Sequence, residues 1–276
     1  MTQKSADPSE AGRNWASSEV AEQWSRRQAR RDKTYGPATE MMLDLARISA
    51  GDRVLDVAAG TGDQTLLAAR RVGPNGCVLA TDLSAAMLNV AAEAAREAGL
   101  TNIETRVMDS ASLDLDADSF DVVICRLGLM LFPDPPKALR EIHRVLKRGG
   151  KLAALVFSTT EKNPYQGLPL AITCRLGGTM SPQFSLSEPG VLDEAFRGGG
   201  FQDINVHPVS FRRHFSSVTE VIQSLRDTIF TREAMSKLTD AEREQAWSEI
   251  DQQLGKLQGP GGLDLPGEML IGIGTK

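Results

Sequence analysis

Residues 53–63 read Arg53-Val54-Leu55-Asp56-Val57-Ala58-Ala59-Gly60-Thr61-Gly62-Asp63, and this stretch decides the fold. Arg53 to Val57 is short and apolar, which predicts a buried strand. Gly60 and Gly62 carry no Cβ, so the backbone there can turn sharply and come close to a ligand. A helix follows, ending near Val72-Gly73-Pro74, and its first N–H groups face the turn unbonded.

The same alternation repeats downstream. Gly76 to Thr81 is a second strand, and Ser84 caps a helix that ends by Gly99. Asn102 to Met108 and Phe120 to Cys125 are the third and fourth strands. Asp134 and Pro135 then open a helix. Its apolar face is Ala138, Leu139, Ile142, Val145 and Leu146, with Lys147 and Arg148 at its C-terminal end and Gly149 to close it. Lys151 to Phe157 is a fifth strand. Strand–helix alternation predicts a doubly wound, mostly parallel α/β sheet with helices on both faces.

Beyond Phe157 the rhythm changes. Leu192 to Phe196 reads as helix, Phe201 to Phe211 as a strand, and 217–256 as helical. A Gly/Pro-rich loop, Gly259 to Gly267, precedes a last strand, Met269 to Ile273, expected to be antiparallel. That makes seven strands, with 217–256 as an insertion before the last one that would act as a lid. Upstream, residues 15–48, with Trp15, Val20, Trp24, Met41, Met42, Leu43 and Ala46, predict one or two helices broken near Gly36-Pro37. Residues 1–13 read as a weakly held tail. The expected organisation is a tail with cap helices over 1–48 and a domain over 49–276.

Composition narrows the function. The chain has 276 residues, 41% hydrophobic and 24% charged, with net charge −5. A mildly acidic chain is not expected to coat nucleic acid. Cys77, Cys125 and Cys174 form no CxxC pair, so neither a disulfide framework nor a metal site is expected, and a cytoplasmic location fits. The most apolar stretch, Val122 to Phe132, is too short for a membrane span and contains Arg126.

Three features fall at the carboxyl ends of successive strands, the edge where open α/β sheets bind ligands. The first is the Gly60–Gly62 turn. The second is Asp82, twenty residues after Gly62, where a carboxylate can accept two ribose hydroxyls. The third is Asp109, whose carboxylate can accept an adenine amino hydrogen, with Ser110 and Ala111 offering backbone groups beside it. Taken singly, each has a structural alternative: a tight turn, a helix-N-terminal acid, a loop aspartate. Together they describe an adenosine crevice. A dinucleotide turn wants a third glycine where this chain has Thr65, and Asp56 would face a pyrophosphate poorly. An acid there suits a ligand carrying an ammonium and a sulfonium. No Walker A lysine pattern is present.

Val54 to Gly62 resembles motif I of class I S-adenosylmethionine-dependent methyltransferases, which have a Rossmann-like sheet. Ala80-Thr81-Asp82-Leu83-Ser84 with Met87-Leu88 resembles the next motif. Ser119 to Val123 and Arg144 to Leu152 resemble the strand-four and strand-five blocks. The subgroup most similar is that of the ubiquinone/menaquinone-biosynthesis C-methyltransferases and their small-molecule relatives. The resemblance covers residues 40–160. It implies S-adenosyl-L-methionine as cofactor and S-adenosyl-L-homocysteine as product. It implies Asp56, Ala58, Gly60, Thr61 and Gly62 near the methionine moiety, Asp82 on the ribose, Leu83 against the adenine, and Asp109, Ser110 and Ala111 at the adenine edge, with Met87 a further cofactor-binding residue. Ala58 and Ala59 depart from the larger share of glycine in that motif, but both are small.

The acceptor side carries no motif. The resemblance points to Arg126, Met130, Phe132, Trp24, Tyr35 and the 217–256 insertion. Arg126 is also counted with the cofactor contacts, and its alternative is a structural ion pair. No catalytic residue is assigned; the candidates are Tyr35, Arg126 and, for a base, a residue of the lid segment. His143, on the solvent face of its helix, and His207 and His214, flanking a strand, are not assigned. Asp134-Pro135-Pro136 is followed by Lys137 rather than an aromatic residue, so it is a helix cap and not an amino-methylating signature. The expectation is methyl transfer to a small aromatic, quinonoid or lipophilic acceptor, with a homodimer left open. The alternatives are a nicotinamide-dependent oxidoreductase and a non-catalytic S-adenosylmethionine-binding module.

Overall fold

The structure, a computed structural model, describes residues 17–276, so Trp15 and the tail at 1–13 lie outside the described residues. It resolves into two compact units. One takes the chain up to Val156, with Pro189–His207 and Ile271–Lys276; the other takes Phe157–Glu188 and Pro208–Leu270.

The first unit opens with helices α1 (Ser18–Arg26) and α2 (Gln28–Ala46). The break falls at Arg27, not at Gly36-Pro37 as the sequence suggested. Pro37 lies inside α2. It costs the helix one hydrogen bond, but Tyr35, Ala38, Met42, Leu43 and Ala46 are buried along the same helix and hold it through that point.

Then come β1 (Arg53–Val57), α3 (Asp63–Val72), β2 (Cys77–Asp82), α4 (Ala85–Glu97), β3 (Ile103–Val107) and β4 (Phe120–Arg126). After them follow α5 (Pro135–Val145) and β5 (Leu146–Phe157). The seven-stranded sheet has the order β3-β2-β1-β4-β5-β7-β6, where β6 is Gln202–Phe215 and β7 is Leu263–Thr275. The first five strands pair in parallel, with Leu55 beside Leu79 on one side and Val123 on the other. β7 runs antiparallel to β5, and the Gly149 N–H donates to the Lys276 carbonyl while the Lys276 N–H donates to Gly150. Val54, Leu55, Val123, Ile124, Leu139, Ile142 and Leu155 are wholly buried and form the apolar centre.

α5 is shorter than expected. It ends at Val145, and Leu146 to Gly150 is already extended, with Leu146 paired to Phe120. Lys147 therefore does not cap the helix; its Nζ donates to Asp121 at 2.6 Å. His143 is half-buried rather than solvent-facing, edge-on to Phe201 with ring centroids 5.3 Å apart. Helix α7 (Val191–Gly198) packs in this unit through Leu192 and Phe196.

The second unit contains α6 (Pro164–Arg175), which the sequence did not announce, and α8 (Val218–Arg226), α9 (Ile229–Met235) and α10 (Asp240–Gly255), which lie within the expected helical segment. Val221, Leu225, Ile250, Leu254 and Leu263 form its centre, and Tyr165 of α6 stacks on Phe215 at 5.5 Å. β7 begins at Leu263, four residues into the stretch read as a Gly/Pro loop. No helix among the described residues is long and apolar enough to cross a membrane.

Candidate functional site

The glycine turn lies at the carboxyl end of β1. Ala58, Gly60 and Gly62 all take positive φ, at +57°, +57° and +85°. A Cβ on Gly62 would lie 2.8 Å from the Cβ of Ala91, so glycine is what lets α4 reach the turn. An alanine in the left-handed region is strained by about 1–2 kcal/mol. Ala58 holds that conformation against Gly128, where an added Cβ would sit 2.6 Å from the Ala58 Cβ.

Asp82 ties the second strand to this turn. One carboxylate oxygen accepts the Gly60 N–H at 2.9 Å and the other accepts the Ser84 N–H at 2.9 Å. Burial raises its pKa, while the N–H groups of Ser84 and Gly60 pull it back down. The carboxylate offers about four acceptor positions, more than its backbone donors fill. Leu83, next in the chain, is 49% exposed, an apolar surface at the sheet edge. Met87 is buried, and its N–H donates to the Ser84 hydroxyl that caps α4. The Met108 N–H donates to the Asp82 carbonyl, bringing the end of β3 to the same edge. Asp109 there is exposed and accepts the Ala111 N–H at 2.8 Å, and Ser110 and Ala111 are half-exposed.

Asp56 lies near the carboxyl end of β1. It is wholly buried below the turn. Thr65 donates its hydroxyl to one carboxylate oxygen at 2.5 Å, and the Gln64 amide donates to the other at 3.0 Å. Burial pushes its pKa up to about 7 despite these two donors. Thr65 stands where a dinucleotide turn has its third glycine, and its hydroxyl serves this buried carboxylate.

A charged cluster adjoins the turn, and sequence reasoning missed most of it. The Nε and Nη2 of Arg31 donate to one oxygen of Asp63 at 3.3 and 3.0 Å, and Nη2 also donates to the Thr61 hydroxyl at 3.2 Å. Nη1 of Arg31 donates to the Trp24 carbonyl, and its guanidinium lies 4.4 Å from the Trp24 ring centroid. Arg126, at the end of β4, donates to the same Asp63 oxygen at 3.1 Å and to the Gln64 carbonyl oxygen at 3.4 Å. Burial lowers the Arg31 pKa, with Asp63 opposing that shift. Arg126 is thus an ion-pair member at the site. Tyr35 is buried in α2, and Met130 is buried in the turn after β4. Arg31 and Asp63 gave no local signal: one is a basic residue among several in a polar helix, the other a common helix-opening acid.

Residues 48–176 match the family model described as a methyltransferase domain. Over that stretch the chain is similar to methyltransferases. Its relatives include a demethylmenaquinone methyltransferase of Listeria welshimeri, 41% identical over 113 residues, which cover 41% of this chain and 48% of that protein. The ubiquinone/menaquinone biosynthesis C-methyltransferase UbiE of Idiomarina loihiensis is 40% identical over 117 residues, 42% of this chain and 47% of that one. The match thus spans about half the length of these curated relatives. Among solved structures, the YcgJ protein of Bacillus subtilis superposes with a TM-score of 0.61 at 20% identity, over 87% of this chain and 98% of that one, a likeness of fold alone.

Proposed function

We propose that the protein transfers a methyl group from S-adenosylmethionine to a small aromatic, quinonoid or other lipophilic acceptor. The observation that carries this is the bond from Gly60 to Asp82, which fixes the acid of β2 against the glycine turn with an exposed Leu83 beside it. The residues fit the cofactor. Asp82 retains lone pairs for ribose hydroxyls, Leu83 offers an apolar face for the base, and Asp109 lies at the end of β3 for the amino edge. Gly60 leaves open space except toward Trp24 Nε1, 3.8 Å from where a Cβ would be.

Bound S-adenosylmethionine supplies an activated sulfonium leaving group, so the cofactor carries the hard chemistry. This chain's residues orient it and keep water away from the reacting line. Asp56 places a titratable group at the end of β1, and Gln64 links it to Arg126. The names of the curated relatives motivate a quinone-type acceptor, and a methyl-accepting carbon would fit in-line displacement at the methyl group.

Calorimetric titration with S-adenosylhomocysteine tests the assignment. One-to-one binding by the wild type and its loss in folded Asp82→Ala support it. Undiminished affinity in Asp82→Ala would remove Asp82 from the site. Binding of NADH in place of S-adenosylhomocysteine would favour an oxidoreductase.

A further inference from the structure

Two guanidinium groups share one carboxylate in the buried cluster, with side-chain exposures of 9% for Arg31 and 5% for both Arg126 and Asp63. A triad of this kind is poorly explained as a stabilising device. Desolvating three charges is costly, and well-packed apolar residues often do as well or better. Asp32 lies near enough to interact with both guanidinium groups, while burial shifts both it and Asp56 toward their neutral forms. Arg126 Nε is buried and has no hydrogen-bond partner among the described residues.

What the cluster does achieve is a connection. Arg31 belongs to α2. Its acceptors are the Trp24 carbonyl at the end of α1, Thr61 inside the glycine turn and Asp63 at the start of α3. Thr61 in turn donates to the second oxygen of Asp63 at 3.2 Å. One planar side chain therefore joins three separate elements, and its stacking on Trp24 holds that ring above Gly60. A lysine, with one compact ammonium, has neither the fork nor the flat face to do this.

We propose that Arg31 is a positioning residue that clamps the N-terminal helices over the Gly60–Gly62 turn through Thr61 and Asp63, and so sets how long the cofactor stays bound. The inference rests on the cofactor assignment made above. Arg31 makes no contact with reacting atoms; it acts through the turn. The clamp has to loosen for the ligand to leave, so weakening it raises the dissociation rate more than it alters association, the usual pattern when a buried charged partner is truncated.

Stopped-flow dissociation of S-adenosylhomocysteine from the full-length protein tests this. Wild type is compared with Arg31→Gln and Arg31→Lys, each checked for an unchanged melting profile without ligand. The expected result is dissociation about tenfold faster in Arg31→Gln, with Arg31→Lys in between. An unchanged dissociation rate in folded Arg31→Gln overturns the clamp while leaving the cofactor assignment intact. Absence of binding by the wild type overturns the assignment itself, and the clamp with it. If Arg31→Gln does not fold, hydrogen exchange on the wild type decides: residues 18–31 are expected to gain protection when S-adenosylhomocysteine is added. Equal exchange in that segment with and without ligand refutes the clamp.

Discussion

Asp56→Asn isolates a single buried ionisation. Asp56 has no exposed surface, and burial moves its pKa from 3.8 up to about 7. The folded protein therefore holds this proton more tightly than the unfolded chain does. Stability from the group is complete below the unfolded value and is lost as pH rises toward the folded value. Each pKa unit corresponds to about 1.36 kcal/mol, so the whole displacement amounts to roughly 4 kcal/mol. Between about pH 5 and about pH 8.5, where unfolding is readily measured, roughly 3 kcal/mol of it is traversed. Asparagine keeps an acceptor oxygen for Thr65 or Gln64 and cannot ionise. Urea unfolding of wild type and Asp56→Asn at the two pH values gives four free energies. Groups common to both proteins cancel in the difference between them. The advantage of wild type over the variant is expected to shrink by roughly 3 kcal/mol on going to the higher pH. A difference that stays constant with pH would refute the buried, readily protonated Asp56.

Other substitutions follow from the same geometry. Gly62→Ala combines φ of +85° with a Cβ 2.8 Å from that of Ala91, and is expected to lower stability by about 1–3 kcal/mol and weaken S-adenosylhomocysteine binding in calorimetry. Asp134→Ala removes the side chain that accepts the Lys137 N–H at 2.9 Å, and is expected to cost about 1 kcal/mol in urea unfolding with ligand binding unchanged. Leu83→Glu places a charge on an exposed position at the crevice; the melting temperature of the free protein is expected to hold while affinity for S-adenosylhomocysteine falls at least several-fold. Equal affinity in that variant would remove Leu83 from the base-binding surface.

The parts of this molecule that were legible in the sequence are those encoded locally. β1, β2 and β4 announce themselves as short, largely apolar runs between turn residues, as does the Leu152–Phe157 half of β5, and helical spacing of apolar residues places α5 after β4. The glycine turn and Asp82 could be placed on one sheet edge because parallel strands send their carboxyl ends the same way. The errors arise where a distant contact overrules a local signal. Gly36-Pro37 is a sound breaker in isolation, but buried neighbours carry α2 through it. Lys147 and Arg148 look like a helix end, yet Leu146 pairs with Phe120 and the chain is already a strand. β7 passes through Pro266 and Gly267, residues that normally mark a loop, and Gly267 is where Phe211 comes closest, 2.1 Å from the position of an added Cβ. α6 has Pro164 and Pro169 within it and no apolar periodicity to reveal it.

The site divides along the same line. Asp56 and Asp82 are both acids ending a strand, and pattern alone gives them parallel roles. The structure separates them by their donors. Asp82 is bound by two backbone N–H groups, which leave its outer lone pairs usable. Asp56 is bound by Thr65 and Gln64 and sealed below the turn. The difference traces to three consecutive residues of α3, Asp63, Gln64 and Thr65; a sequence reading marks Thr65 only as a departure from a dinucleotide turn and passes over the other two as ordinary polar residues of a helix start. Their bonds overlap to form a chain: Thr65 serves Asp56, Gln64 bridges Asp56 to Arg126, and Asp63 gathers Arg126 and Arg31. A turn meant only to join a strand to a helix has no use for such an arrangement, since small apolar residues would pack there at lower cost. Its presence ties the charge beneath the glycine turn to the helices above it, so cofactor affinity and the placement of the N-terminal helices are expected to change together when any one of the three is replaced.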